Sequence, residues 1–202
     1  MTTDVAKFVK KIFSNNEIKE IETLEYKYEI KNKISVLVPE KFLEKLAIEM
    51  SKAGAGKIGN YELCSFRLNG TGTFKPSSKA KPFTGSKNKI NFVEEIKLEM
   101  HCPLISINKV VDAVYKFHPY EEPVYEVTEI KFRTKIPETI SIKLKKSIPA
   151  EKLFSKLNKN LESFPAKKNK KISKIIFTDN TETKLAADAV IFTGGYIKVK
   201  LK

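Results

Sequence analysis

The order of periodic segments predicts an α+β fold: a ferredoxin-like βαββαβ domain over residues 34–132, followed by a small second α/β unit. Three observations carry this. Residues 40–53 and 106–117 repeat apolar side chains at helical spacing. Strand-like runs rich in β-branched residues flank each of them. Together they follow the split βαβ plan, an antiparallel sheet with two helices on one face. A further group of segments over 137–201 alternates strand, helix and strand on a smaller scale.

Taken in order, Val5, Phe8, Val9 and Ile12 predict a first helix, with Thr3 or Asp4 as N-cap and Ser14-Asn15-Asn16 as its stop. Residues 17–30 alternate loosely and extend as a strand, so that 1–33 forms an N-terminal helix and accessory arm. Lys33–Pro39 (KISVLVP) is a strand, and Pro39 suits the first turn of the helix that follows. That helix carries Phe42, Leu43, Leu46, Met50 and Ala53 on one stripe and has Gly54 at C′. Tyr61–Leu68 alternates as a strand, is interrupted by a turn at Asn69–Gly72, and resumes at Thr73-Phe74. Lys75–Lys89 is a polar loop whose fifteen residues are long for a compact domain, which marks it as mobile or functional. Ile90–Cys102 is a strand with Ile96, Leu98, Met100 and Cys102 on one face. Ser106 caps a helix to Phe117, ended by His118-Pro119, and Pro123–Phe132 is the last strand of the domain.

The remainder, 133–202, predicts a strand at Pro137–Leu144 and a helix from Pro149 to Phe164 with Leu153, Phe154, Leu157 and Leu161 inward. A charged turn at Lys167–Lys171 and strands at Ile172–Thr178, Ala189–Thr193 and Tyr196–Leu201 complete it.

Composition narrows the class. The 202 residues, 41% hydrophobic and 31% charged, suit a folded globular protein. No apolar run approaches the roughly 18 residues that span a bilayer, and the N-terminus lacks the apolar core of a secretory signal. Two cysteines, Cys64 and Cys102, are too few for a disulfide scaffold. A cytoplasmic location is the default expectation. Of the net charge of +14, residues 132–202 carry +11. Clustered cations invite a nucleic-acid reading, but only Arg67 and Arg133 are arginines, and base-reading sites favour arginine. Lysine-biased composition is the stronger account, and it argues against a nucleic-acid partner.

Two stretches are irregular enough to carry function. Ala53–Phe74 holds Gly54, Gly56, Gly59, Gly70 and Gly72, five of the eight glycines of the chain. A phosphate loop runs from a strand into a helix N-terminus. Here the glycines follow a helix C-terminus, where the dipole repels an anion. A helix C-cap and a tight hairpin explain them, with a close contact to a small ligand or a neighbouring subunit as the functional alternative. The second stretch is His118-Pro-Tyr-Glu-Glu-Pro123. No HExxH or CxxC spacing supports a metal site. His118 is expected to cap the helix or bond backbone, Glu121 and Glu122 to pair with lysines, and Cys64 and Cys102 to be small core residues on strand faces. Ligand-binding candidates are therefore Gly54, Gly56, Gly59, Tyr61, Cys64, Gly70, Gly72, His118, Tyr120, Glu121 and Glu122. No catalytic residue, metal ligand or cofactor is assigned.

The runs AGAGKIGNYELCSF (53–66), GTGTF (70–74), VEEIKLE (93–99) and HPYEEPVYEV (118–127) resemble the YqfO-type domain, found inserted in the Nif-three-like dinuclear-metal proteins and also alone. The match spans about Ile34–Ile130. It implies a ferredoxin-like fold similar to CutA and the PII signalling proteins, which tend to form trimers. AADAVIFTGGYIKVKLK (186–202) resembles the closing part of the Nif-three-like core. Gly195 stands where that family has an acidic ligand, no histidine follows Tyr196, and a final Glu ligand is missing. Ile176–Asn180 replaces a cysteine- and glycine-rich turn, and residues 1–33 hold no counterpart of the paired histidines. The resemblance thus implies a remnant of that core without its metal ligands. The functional expectation is a non-catalytic regulatory or binding module, a trimer engaging a small ligand or a protein partner. The alternatives are a metal-dependent hydrolase of Nif-three-like type and a lysine-rich nucleic-acid binder.

Overall fold

The computed structural model describes residues 4–157, 170–182, 185–194 and 198–201. They form a mixed α+β structure with seven strands and four α-helices among the described residues. In chain order these are α1 (Val5–Ile12), β1 (Ile18–Val38), α2 (Glu40–Lys52), β2 (Phe66–Phe74), β3 (Asn91–Pro103), α3 (Ile107–Phe117), β4 (Tyr125–Pro149), α4 (Ala150–Leu157), β5 (Lys171–Thr178), β6 (Ala189–Phe192) and β7 (Lys198–Leu201). The chain divides into two compact units, one of residues 29–132 and one of 1–28 with 133–202.

In the 29–132 unit the strands follow the order β2-β3-β1-β4, and β3 runs antiparallel to both β1 and β2. Alternation sets the two faces. Ile34, Val36 and Val38 of β1 and Leu98, Met100 and Cys102 of β3 are buried with Leu43, Leu46 and Met50 of α2 and Val110 and Val114 of α3. Burying a side chain of this kind contributes roughly 1.5–3 kcal/mol, so this apolar layer holds both helices to one sheet face. Arg67 on β2 adds a two-pronged hydrogen bond to Glu44 of α2, at 2.6 and 3.2 Å.

In the second unit β5 and β6 are parallel, β4 pairs with β5 and β6 with β7 antiparallel. Asp4 caps α1 by accepting the Lys7 amide at 3.1 Å. The helix buries Val5, Val9 and Ile12 against Ile142, Leu153, Leu157, Ile175 and Phe177, and the Phe8 and Phe13 rings meet Phe177 edge-on. Asp188 Oδ2 accepts the Ser173 and Lys174 amides and the Ser173 hydroxyl, which locks the entry to β6 onto β5. Burial disfavours its charge, but those donors outweigh it and hold the carboxyl below its ordinary range.

Several expectations are corrected. The segments 17–30 and 33–39 are one strand of 21 residues, and 123–132 with 137–144 fall in one strand of 25. The helix at 1–13 is no appendage, because its apolar face lies in the core of the second unit. No turn occurs at 69–72. β2 runs unbroken through Gly70 and Gly72, and neither has a positive φ. Residues 61–65, expected in that strand, precede it as a loop in which Leu63 takes φ +54°. Cys64 is therefore half-buried in a loop, whereas Cys102 is a buried strand residue as expected. Ser106 precedes α3 without a side-chain capping bond. The helix continuation to Phe164 with Leu161, the turn residues Lys167 and Lys168, and Gly195 and Tyr196 lie outside the described residues.

Two glycines separate conformational need from space. Gly56 has φ +72°, donates to His101 O at 2.7 Å, and leaves no room for a Cβ beside Met100 and the Cys64 backbone. Gly59 has φ +59° but open space around it. Gly59→Ala is expected to cost about 1 kcal/mol and Gly56→Ala about 2–4 kcal/mol. Urea denaturation of the two variants measures the difference, and equal losses would show that Met100 and the 61–65 loop yield freely.

Candidate functional site

A cavity of about 470 Å³ lies within the 29–132 unit, on the sheet face opposite α2 and α3. Its floor is Leu37 of β1, Val93 and Glu95 of β3 and Gly72 of β2. The 75–89 loop and the 120–124 segment form its walls, through Phe83, Pro82, Tyr120, Glu121 and Val124 among others.

The loop is held in place by its own bonds and by contacts to its surroundings. Asn91 Oδ1 accepts the Ser86 amide at 2.8 Å, and its Nδ2 donates to Ser86 O and Lys89 O, both at 2.9 Å. Asn88 N donates to Pro76 O at 2.8 Å. Phe83 reaches the helix side by an edge contact to Phe42, with ring centroids 5.6 Å apart, and its centroid lies 6.0 Å from that of Tyr120. Glu121 Oε2 accepts the Lys81 backbone amide at 3.0 Å. That amide replaces the lysine pairing expected for Glu121, and neither Glu121 nor Glu122 has an ion pair among the described residues.

The opposite wall depends on His118. Its Nδ1 accepts the Tyr120 amide at 3.1 Å, so the ring proton sits on Nε2, which donates to Leu37 O at 2.8 Å. Leu37 N in turn donates to Val124 O at 3.1 Å. The proline-bracketed segment therefore clasps the end of β1 through both backbone groups of Leu37. Burial lowers the His118 pKa from its ordinary value, and the carbonyl bond and the Glu95 charge oppose that shift only in part.

Glu95 is the polar group at the bottom. It is 8% exposed, and its Oε1 has no hydrogen-bond partner. The buried Tyr120 hydroxyl has the Glu95 carboxylate as its neighbour. Burial pushes that phenol well above its ordinary range, and hydrogen bonding to the Glu95 carboxylate, then its charge, add to the shift. Gly72 makes room for the acid: a Cβ there would stand 2.4 Å from Glu95 Oε2. Glycine in a strand interior marks such close approaches.

Of the sequence candidates, Gly72, Tyr120, Glu121 and Glu122 line this cavity, and His118 supports it from beneath. Gly70 is on the same strand with open space around it. Gly54, Gly56, Gly59, Tyr61 and Cys64 lie elsewhere. Gly54, at φ +114°, packs on Ser106, and Tyr61 is 75% exposed. Glu95, Leu37 and Phe83 escaped sequence reasoning. The one available signal was Gly72 itself, a strand glycine two positions from Gly70, which is paired with Glu95.

A second group of acids lies in the other unit. Lys27 forms an ion pair with Asp179, Thr139 donates to Glu25 at 2.5 Å, and Thr178 donates to Thr139 at 2.8 Å. Burial, then Asp179 and Glu25, raise the Glu138 carboxyl pKa. The Lys27 ammonium that pairs with Asp179 also acts on Glu138 and opposes that rise. Among the described residues no three His, Cys, Asp or Glu side chains converge to hold a metal ion.

These features place the chain among α+β proteins with a cavity on a sheet face. No family model matches it. A curated relative from Halalkalibacterium halodurans, described as a GTP cyclohydrolase 1 type 2 homolog, is 45% identical over 95 residues, 47% of this chain and 26% of its own. A relative of the same description from Listeria innocua is 32% identical over 163 residues, 80% of this chain and 38% of its own. Among solved structures, a Bacillus cereus protein related to NIF3 is similar at 23% identity and TM-score 0.52, over 96% of this chain and 57% of that one. The chain thus spans well under two thirds of the length of these relatives.

The neutral His118 ring has a measurable signature. In the unfolded chain the ring takes up its proton near pH 6.5; in the folded chain it does so at lower pH. Stability that depends on the neutral ring is complete above about pH 6.5 and declines as pH falls through the window below it. Long-range ¹⁵N–¹H NMR should show the Nε2–H tautomer at pH 7 and a titration midpoint below that of a histidine peptide. A midpoint at or above 6.5 would contradict the bonding described.

Proposed function

We propose that residues 29–132 form a non-catalytic binding module of ferredoxin-like, YqfO-type plan, which assembles as a homotrimer and takes a small ligand. The observation that carries this is the cavity, where a buried acid and a buried phenol lie side by side and the acid's Oε1 has no hydrogen-bond partner, beneath a loop tied down by its own hydrogen bonds. Native structures leave few buried polar atoms unpaired, and those that are call for an explanation. A small molecule supplies one. Pockets for such ligands commonly occupy roughly 300–1,000 Å³, apolar with a few convergent polar groups, and this cavity has those attributes.

The trimer reading follows from the resemblance to CutA and the PII proteins and from the outer edge of the sheet. Among the described residues β2 pairs only with β3, and it carries exposed Phe66 and Leu68. An apolar edge strand is a ready docking line for another chain, and a head-to-tail interface of this kind can close into a ring. Residues 133–202 are read as a remnant of the Nif-three-like core and the location as cytoplasmic. A second reading, a metal-dependent hydrolase, is favoured by the description of the relatives as GTP cyclohydrolase homologs.

Light scattering coupled to size exclusion should give three times the 23.0 kDa chain mass, and protein purified without chelator should carry no stoichiometric transition metal. A strict monomer at micromolar concentration contradicts the trimer. A stoichiometric metal with phosphate- or ring-hydrolysing activity decides for the enzyme.

A further inference from the structure

The chemistry of the cavity narrows what it takes. Glu95 is 8% exposed, Oε1 is unpartnered, and no described cation comes within 4 Å of the carboxylate. A carboxylate only accepts hydrogen bonds, and a buried charge left unpaired is strongly disfavoured. Glu121 and Glu122 add negative charge at the rim, and Lys75 is the one cation on the wall, without an ion pair to any of the three. An anion would be repelled here, and a neutral ligand would leave the Glu95 charge to the Tyr120 hydroxyl alone. The remaining surface is apolar; the Phe83 ring already carries the Lys41 ammonium 4.8 Å from its centroid, and the face of Tyr120 beside it suits a delocalised cation.

We propose that this cavity binds a small organic cation, an apolar or aromatic body bearing an amine or amidinium group that donates to Glu95 Oε1 beside the Tyr120 hydroxyl. The proposal rests on the binding-module reading and specifies its ligand class. Glu95 supplies the charge, Tyr120 a second polar contact, and Leu37, Val93 and Phe83 the apolar enclosure. Gly72 is the sequence feature that lets Glu95 lie in the floor.

The probe is p-aminobenzamidine, whose fluorescence rises in an apolar site, titrated into the full chain at pH 7. Saturable binding is expected, with uncharged benzamide and anionic benzoate failing to displace it. Glu95→Gln should weaken binding at least about tenfold, as loss of a charge-assisted hydrogen bond does. Val124→Trp at the rim should block it by filling the entrance, a substitution that leaves the core untouched because Val124 is exposed. Unchanged affinity in both variants overturns the proposal. Binding of benzoate or benzamide in preference overturns the ligand class and leaves the binding-module reading standing. If none of the three probes binds up to millimolar concentration, the organic-cation proposal is overturned, and the binding-module reading still stands on its own test of assembly and metal content.

Discussion

One imidazole organises the cavity. His118 ends α3, and its two ring nitrogens face opposite demands: Nε2 must donate to Leu37 O in the centre of the sheet, and Nδ1 must accept from Tyr120 N. Only the neutral ring meets both. Burial keeps it neutral, so packing of the helix end and geometry of the 119–124 segment are a single constraint. From it follow the placement of Tyr120 against Phe83, the reach of Glu121 to the 75–89 loop, and hence the enclosure above Glu95.

That enclosure is built from parts that are individually ordinary. An antiparallel sheet with helices on one face can leave the other face to water. Here the cover is a long loop and a proline-bracketed turn, rather than a layer of secondary structure. Loops carried on a rigid scaffold tend to hold binding residues. An acid buried among apolar side chains is a local inconsistency of the kind that concentrates at functional sites.

The helices were legible because their buried faces repeat at helical spacing: Leu43, Leu46 and Met50 in α2, Val110 and Val114 in α3. The strands were legible in type but not in length. The outer half of β1 is largely exposed and only loosely alternating, and β4 contains Pro137, so each read as two elements. Glycine density misled at 69–72, where Gly72 answers to a cross-strand side chain rather than a turn. The His118–Pro123 run stood out because two prolines bracket it, and its Tyr120, Glu121 and Glu122 do line the cavity. Glu95 could not be found this way. Glu94 and Glu95 are neighbours of identical chemistry on opposite faces of β3, and only the cover supplied by the 75–89 loop and the 120–124 segment buries Glu95.

The central claim is that Glu95 is held in the free protein for the sake of a ligand, against its own solvation. Urea denaturation of the full chain and its Glu95→Gln variant at pH 7, without added ligand, tests it directly. Removing an uncompensated buried charge should leave stability unchanged or raise it. A loss of more than about 1 kcal/mol would show that Glu95 is a structural residue with partners inside the fold, and would contradict the account.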